Sequence, residues 1–271
     1  MTQVDLQYGA ATDVGLVREA NEDAHLVAPP VFVVADGMGG HDHGEVASGF
    51  VVEEFARLAE TGVGAATAAD AVTSALEAVH DRIDEYDAVH HAAGELLFGS
   101  GTTAIVALLV DDVAEPYWLV ANLGDSRGYL FADHVLAQLT VDHSLVQELV
   151  DAGTIAAADA AGHPDRHIVT RNLGGPVRYE PDLFIRPAEV SGRMLLCSDR
   201  VSEMLAHDDI ARILDEHPDP AAAAEKVVAA AVAAGGRDNA TAVVVDVVGL
   251  TRETPHDTVV QQPSTEQETH P

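Results

Sequence analysis

The stretch VFVVADGMGG, residues 31–40, joins an apolar run to an aspartate and a group of glycines. Residues 31–35 have the composition of a buried strand, and Asp36 follows directly. A carboxylate at the end of a strand is held rigidly, and glycines let the backbone approach a ligand closely. Because ordinary turns also favour Asp and Gly, the stretch alone leaves a binding site and a simple turn equally open.

Further apolar runs elsewhere in the sequence predict strands at 102–110, 117–123, 126–131, 135–139, 193–197 and 241–248. The turns that join them are short, which favours antiparallel pairing. Apolar residues spaced by three and four predict helices at 45–59 and 66–85. Asp219 before Pro220 predicts the start of a helix that ends near 234, before two glycines. Strands and helices in separate blocks predict an α+β fold with antiparallel sheets.

Three more aspartates stand at predicted strand ends or turns, like Asp36. Asp125 lies in a turn between two strands, Asp199 follows residues 193–197, and Asp238 precedes the last strand. Carboxylates are ligands for hard cations such as Mg²⁺ and Mn²⁺. The alternative is that the four aspartates are unrelated turn residues. Each further aspartate in such a position weighs against this alternative.

The segment GLVREANED, residues 15–23, supplies a candidate cation for phosphate. The planar guanidinium of Arg18 matches two phosphate oxygens. A surface ion pair of Arg18 with Glu19 or Glu22 is the alternative that the segment alone favours.

Composition narrows the function classes. The formal net charge is -31, from 45 acidic and 14 basic residues, and such a surface repels nucleic acid and anionic lipid. No apolar run approaches the roughly 20 residues that span a bilayer, and no secretion signal is evident at the N-terminus. A single cysteine, Cys197, fits a reducing compartment. These features predict a cytoplasmic protein with no membrane or nucleic-acid partner, and we expect a monomer.

Eight segments together resemble the bacterial branch of the PP2C-type, metal-dependent serine/threonine protein phosphatases, the PPM family. In chain order they are TDVGLVREANED (12–23), VVADGMGGHDHGEVAS (33–48), GSGTTA (99–104), ANLGDSRGYL (121–130), LTVDHSLVQELVDAG (139–153), HPDRHIVTRNLG (163–174), LLCSD (195–199) and RDNATAVVV (237–245). Each segment alone is a weak signal, whereas the ordered set is specific and covers nearly the whole domain.

The resemblance implies two antiparallel β-sheets in a central sandwich flanked by helices, a four-layer αββα fold, over residues 1–249. It implies a flap beside the active site at about 140–174. Residues 250–271 are polar, contain prolines and lack periodicity, which predicts a disordered tail whose threonines are candidate phosphorylation sites.

The resemblance also implies the metal ligands. Asp36 would bridge two ions, Mn²⁺ or Mg²⁺, the Gly37 carbonyl would bind the second ion, and Asp199 and Asp238 the first. Asp125 would help to bind a weaker third ion.

The remaining implied roles concern water and phosphate. Glu22 and Asp23 would hold metal-bound waters, and Arg18 would hold the phosphate. The implied reaction is hydrolysis of phosphoserine and phosphothreonine by a water that two metals activate, on phosphorylated proteins that include serine/threonine kinases.

Two departures from the family pattern keep alternatives open. Arg200 replaces the glycine that normally follows Asp199, so it either distorts the site or reaches the phosphate. The main rival function is therefore a pseudophosphatase that binds phosphoproteins without hydrolysing them; a nuclease is a second, disfavoured by the negative charge. Met38 stands where some relatives have a histidine, which leaves the general acid unassigned, with His41 and His43 nearby.

Overall fold

A computed structural model of the protein describes residues 2–39, 43–95, 99–111 and 115–252. The strands in these ranges are β1 (Thr2–Asp13), β2 (Asp23–Ala28), β3 (Val31–Gly39), β4 (Ser100–Thr102), β5 (Ala104–Val110), β6 (Tyr117–Leu123), β7 (Arg127–Ala132), β8 (Val135–Gln138), β9 (Asp182–Pro187), β10 (Arg193–Cys197) and β11 (Ala240–Arg252). The α-helices are α1 (Gly44–Thr61), α2 (Ala68–Ala92), α3 (Leu145–Asp151), α4 (Ala157–Ala160), α5 (Asp199–Met204), α6 (His207–Glu216) and α7 (Pro220–Ala234). None of these helices is both long and apolar enough to cross a membrane.

The strands form two antiparallel sheets. One has the order β1-β11-β10-β7-β8, and the other has the order β2-β3-β5-β6-β9, with β4 paired to β3. Alternate side chains of a strand point to opposite faces, so β3 serves two cores. Phe32 and Val34 enter the core between the sheets, whereas Val31 and Val33 pack against helices on the outer face.

Helices cover the outer face of each sheet. α1 and α2 pack on the sheet that contains β3, where Val51, Phe55 and Val79 are fully buried. α5, α6 and α7 pack on the other sheet, where Val227 and Ala231 are fully buried. The predicted four-layer fold with two antiparallel sheets is confirmed.

The third strand is longer than its apolar run. The sequence predicts an end at residue 35, but β3 continues through Gly39 because β4 pairs with residues 37–39. Asp36 therefore lies inside the strand, with neighbours on both sides: Asp23 of β2, and Thr103, which lies between β4 and β5. A carboxylate in this position has a firmly held backbone, which a turn residue lacks.

Tertiary contacts also extend the second helix and add strands. α2 runs to Ala92, past the predicted end at 85, and Tyr86 in the added part packs edge-on against Phe50 of α1. β1, β2 and β9 were not predicted, because their polar and apolar residues mix and their pairing involves distant partners. β1 pairs with β11 over its whole length.

The last helix follows its sequence signals. The carboxylate of Asp219 accepts a hydrogen bond from the Ala222 N–H at 2.8 Å, and Gly235 follows the helix. β11 then runs to Arg252, beyond the boundary predicted at 249. Of the tail threonines, Thr251 lies in this strand; the rest of the predicted tail lies outside the described residues.

Candidate active site

The backbone around Asp36 is fixed by hydrogen bonds to the adjoining strands. Its N–H donates to Thr103 Oγ1 at 3.1 Å, and its carbonyl accepts from the Thr103 N–H at 2.9 Å and from Thr102 Oγ1 at 3.0 Å. Thr103 Oγ1 also lies 2.7 Å from Ser126 Oγ. The carboxylate of Asp36 is therefore presented from a rigid frame, which suits a ligand that must be placed accurately.

Asp36 shares one cleft, of about 270 Å³, with three other aspartates singled out in the sequence. Asp125 comes from the turn between β6 and β7, and Asp199 is the first residue of α5, directly after β10 and Ser198. Asp238 lies between α7 and β11. Both sheets thus deliver carboxylates to one end of the sandwich.

Burial and mutual repulsion raise the pKa of several carboxylates in and beside the cleft. Burial raises the pKa of Asp36 well above its ordinary range, and the charges of Asp23 and Asp199 raise that pKa further. Burial, with repulsion from Asp199, raises the pKa of Asp125 to about 8. Burial raises the pKa of Asp23 to about 7, against hydrogen bonds that lower it. Such a cluster is stabilised by cations, because a bound cation favours the ionised form.

Arg18 is held in the cleft by Asp238. Its Nε lies 2.7 Å from Asp238 Oδ1 and its Nη2 donates to Asp238 Oδ2 at 2.8 Å, a two-point contact. Its Nη1 lies 3.5 Å from Glu22 Oε2. The side chain is 47% exposed, so the guanidinium borders both the carboxylates and the solvent. The surface pair with Glu22 that the sequence allowed exists, but the shorter contacts are to Asp238.

Arg200 lies among carboxylates at the start of α5. Its Nη1 donates to Glu203 Oε2 at 2.7 Å and its Nη2 to Asp238 Oδ2 at 3.1 Å. Its Nε lies 3.8 Å from Asp199 Oδ1 and is buried without a hydrogen-bond partner. Both arginines of the cleft therefore contact the same carboxylate, Asp238.

The other three residues assigned by resemblance occupy different positions. Glu22 lines the cleft, and its Oε1 accepts from the Gly44 N–H at 3.2 Å. Gly37 also lines the cleft, and a Cβ there would lie 2.2 Å from the Gly44 carbonyl oxygen, so only glycine fits. Asp23 stands beside Asp36 in the sheet and accepts a hydrogen bond from Ser198 Oγ at 2.9 Å. It is not among the residues that line the cleft.

Sequence reasoning missed His167 and Glu203. His167 comes from the flap segment and lines the cleft, and its Nδ1 lies 2.8 Å from Glu203 Oε1. His167, Glu203 and Asp199 each offer a ligand atom, and these atoms lie within 4.8 Å of one another. The spacing of Asp199 and Glu203 by four, on one helix face, was the available signal. Nothing in the sequence placed His167 beside them.

Two candidates from the sequence lie elsewhere. His43 precedes α1 and its Nδ1 is 3.2 Å from the Tyr86 hydroxyl, away from the residues that line the cleft. His41 lies outside the described residues. Cys197 is fully buried in β10, and burial raises the pKa of its thiol to about 12, which excludes it as a nucleophile.

The donor set fits hard divalent cations. The cleft brings together the carboxylates of Glu22, Asp36, Asp125, Asp199 and Asp238 with the backbone of Gly37. Oxygen ligands of this kind suit Mg²⁺ and Mn²⁺, whereas zinc sites favour histidine and thiolate. Burial, with repulsion between neighbouring carboxylates, raises the pKa of Asp36 and Asp125, and a bound cation would favour their ionised forms.

Comparison with known proteins agrees with this geometry. The family model described as protein phosphatase 2C matches residues 12–149. The serine/threonine phosphatase stp of Listeria monocytogenes is 37% identical over 241 residues, which cover 87% of this chain and 93% of that protein. The chain belongs to the protein phosphatase 2C family.

Solved structures of the family share the fold. The chain matches the crystal structure of the Mycobacterium tuberculosis serine/threonine phosphatase PstP/Ppp with a TM-score of 0.81 and 36% identity, over 90% of this chain and 99% of that one. A PstP catalytic domain in complex with two manganese ions matches with a TM-score of 0.79 and 36% identity, at the same coverage. The family resemblance drawn from the eight sequence segments is confirmed.

Proposed function

We propose that this PP2C-family member hydrolyses phosphoserine and phosphothreonine in proteins with two bound cations, Mn²⁺ or Mg²⁺, and so opposes serine/threonine kinases. The observation that supports the proposal is the cluster of buried carboxylates around Asp36 with the guanidinium of Arg18 in the same cleft. We propose that it acts in the cytoplasm as a monomer, and that phosphorylated kinases are among its substrates.

The ligand roles are those that the family resemblance implies, and the gathering of these residues in one cleft supports them. Asp36 is central in the cluster and would bridge the two ions, with Asp199 and Asp238 on the first and the Gly37 carbonyl on the second. Asp125 would help to hold a third ion. The bound cations supply an activated water for attack on phosphorus and positive charge for the phosphoryl oxygens.

Acidic residues beside the ion ligands orient water. Glu22 lines the cleft and would accept hydrogen bonds from waters there. Asp23 would act on such waters from behind Asp36, where Ser198 holds its carboxylate.

Arg18 binds the phosphate in this proposal. Its fork already makes a two-point contact with the carboxylate of Asp238, and a phosphate presents oxygens with a similar spacing. Because the side chain is half exposed, it can turn from Asp238 to a substrate oxygen without entering the core. Cys197 is buried and its thiol stays protonated, so the chain's own cysteine forms no phosphoenzyme.

The test is hydrolysis of para-nitrophenyl phosphate with Mn²⁺, with and without EDTA, by wild type, Asp36→Asn and Arg200→Gly. We expect turnover that EDTA abolishes and that Asp36→Asn lowers at least ~100-fold, because substitutions outside the ligand shell already cost up to about 100-fold. Asp70→Asn, on the exposed start of α2, is the control and should leave turnover unchanged. Phosphoserine and phosphothreonine peptides should release phosphate, and a phosphotyrosine peptide should not.

Arg200 favours a second candidate, a pseudophosphatase that binds phosphoproteins. Its guanidinium contacts Asp238 and Glu203, where a cation would otherwise find carboxylate ligands. No turnover by wild type, with turnover gained in Arg200→Gly, would establish this function in place of the first.

A further inference from the structure

The cleft opens into a second depression, which we call the glycine groove. This groove has a volume of about 420 Å³ and shares Met38 and Gly39 with the cleft. It runs between the start of β4 and residues 172–179. Tyr179 also lines a separate cavity beside α2, so Tyr179 and the nearby Val177 mark the end of the groove away from Met38 and Gly39. A molecule bound by its phosphate at Arg18 and the carboxylates would have this groove as a direct continuation.

The floor of the glycine groove is mostly backbone. Five of the residues that line it are glycines: Gly39, Gly99, Gly101, Gly174 and Gly175. Two of them are required by close packing. A Cβ on Gly101 would lie 2.8 Å from Asn172 Nδ2, and Gly174 has a φ of +92° with the Ser100 carbonyl oxygen 2.5 Å from the Cβ position. The tight fit of residues 172–174 on β4 therefore leaves no room for a side chain at Gly174 and little at Gly101.

The same residues hold the groove in shape. Thr102 and Leu173 exchange backbone hydrogen bonds of 3.0 and 2.9 Å, and the Gly174 N–H donates to the Nδ1 of buried His80 at 3.2 Å. Arg178 lies 2.6 Å from Asp81 and 3.0 Å from Asp84, which ties the outer wall to α2. A groove that is already formed costs a ligand little conformational entropy at binding.

Above this floor the space is open and one end is apolar. Within the part of the chain that the structure describes, a Cβ on Gly99 or Gly175 would meet no atom within 4 Å. Val177 is 48% exposed and Tyr179 is 37% exposed, although both are large apolar side chains. The exposed carboxylates of Glu77 and Glu180 line the cavity on the other side of Tyr179, and Arg178 of the same cavity is already paired with Asp81 and Asp84, so this end disfavours acidic ligands.

We propose that the glycine groove binds the polypeptide of the substrate next to its phosphorylated residue, in extended form, with an apolar side chain against Val177 and Tyr179. The inference rests on the proposed function, since it places the phosphate in the cleft. Its physical basis is continuity with the cleft, a backbone floor that an extended chain can approach closely, and an apolar end. Substrates with apolar residues beside the phosphothreonine are preferred over substrates with acidic ones.

Gly99→Leu tests the groove. The backbone at Gly99 does not need glycine, and its Cβ would meet no atom of the described residues within 4 Å, so the leucine side chain has room there among these residues. Gly64→Leu is the matched control, because Gly64 is equally open and precedes the short 3-10 segment Ala65–Thr67 away from the groove. Val177→Ser is a second variant, which removes apolar surface without adding bulk.

The substrates are a synthetic peptide with leucine on both sides of phosphothreonine, its counterpart with aspartate in those places, and para-nitrophenyl phosphate, all with Mn²⁺. We expect Gly99→Leu to lower kcat/KM for the leucine peptide at least tenfold, chiefly by raising KM. Its kcat/KM for para-nitrophenyl phosphate should stay within twofold of the wild-type value. Val177→Ser should lower the preference for the leucine peptide over the aspartate peptide. Gly64→Leu should match wild type on every substrate.

Unchanged kcat/KM for the leucine peptide in Gly99→Leu would overturn the groove and leave the phosphatase intact. If Gly99→Leu loses activity on both the leucine peptide and para-nitrophenyl phosphate, the Val177→Ser variant becomes the deciding test. An unchanged preference of Val177→Ser for the leucine peptide over the aspartate peptide would overturn the proposal. If wild type hydrolyses none of these substrates, the proposed function fails. The groove is then tested by the affinity of the protein for the fluorescently labelled leucine peptide, measured by fluorescence polarisation. Equal affinity of wild type and Gly99→Leu would then overturn it.

Discussion

Arg200 stands where the family resemblance implies a glycine, directly after the proposed metal ligand Asp199. The guanidinium of Arg200 contacts Glu203 at 2.7 Å and Asp238 at 3.1 Å, and its Nε lies 3.8 Å from Asp199. Two of these carboxylates are proposed ligands of the first ion. Since like charges repel strongly in a partly buried site, a cation bound there competes with Arg200 for the same oxygens.

We predict that Arg200→Gln binds Mn²⁺ at least about tenfold more tightly than wild type, because it removes the competing charge. Isothermal titration calorimetry of the metal-free protein measures this affinity independently of turnover. Arg200→Lys keeps the charge and should remain within about threefold of wild type. Arg212→Gln, on the exposed face of α6, is the control. Equal tightening by Gln and Lys would assign the effect to shape and contradict charge competition.

At the scale of elements, helix ends and strand pairings place the site residues. Asp199 begins α5, and Asp238 follows α7, so the position of both carboxylates depends on how these helices start and stop. α7 buries Val227 and Ala231 against the sheet that contains β11. Its start is stabilised by the Asp219 carboxylate, which accepts from the Ala222 N–H.

We predict that Asp219→Ala lowers the free energy of unfolding by about 1 kcal/mol, because it removes the N-cap of α7. Asp219→Ser, which keeps an acceptor, should stay within a few tenths of a kcal/mol of wild type. Urea denaturation in EDTA measures both, and the m-value should not change. A loss as large in Asp219→Ser as in Asp219→Ala would show that the cap is not the cause.

The molecule as a whole carries a large excess of negative charge. The formal net charge is -31, and the exposed ion pairs of the described part cannot balance it because only 14 residues are Lys or Arg. Self-repulsion of this kind destabilises a compact state, and salt screens it. The Debye length falls from about 10 Å at 0.1 M salt to about 3 Å at 1 M.

We predict that raising NaCl from about 0.1 M to about 1 M increases the Tm by roughly 2–4 °C, which corresponds to about 1 kcal/mol for a domain of this size. Differential scanning calorimetry in EDTA measures the change without bound metal. At pH 5 more carboxylates are protonated, so the same salt step should have a smaller effect. A Tm that falls with salt at pH 7 would show that attractive ion pairs outweigh the repulsion.

The sequence alone determined much of this protein. Apolar runs predicted most of the strands, the spacing of apolar residues predicted α1, and Asp219 with Gly235 predicted both ends of α7. These signals are local: a buried strand, an amphipathic face and a helix cap each depend on residues close together in the chain. The same local pattern singled out Asp36, Asp125, Asp199 and Asp238, because each stands beside an apolar strand or in a tight turn.

The remaining features of the fold and the site depend on contacts between residues distant in sequence, so they become visible in the tertiary structure alone. β3 extends past Asp36 since β4 pairs with it, and β1 is a strand since β11 lies beside it. Arg18 contacts Asp238, which is 220 positions away in the sequence. His167, in the predicted flap at about 140–174, contacts Glu203. Such contacts form only when the two sheets and their helices pack together, and no local pattern records which distant side chains that packing will bring into the cleft.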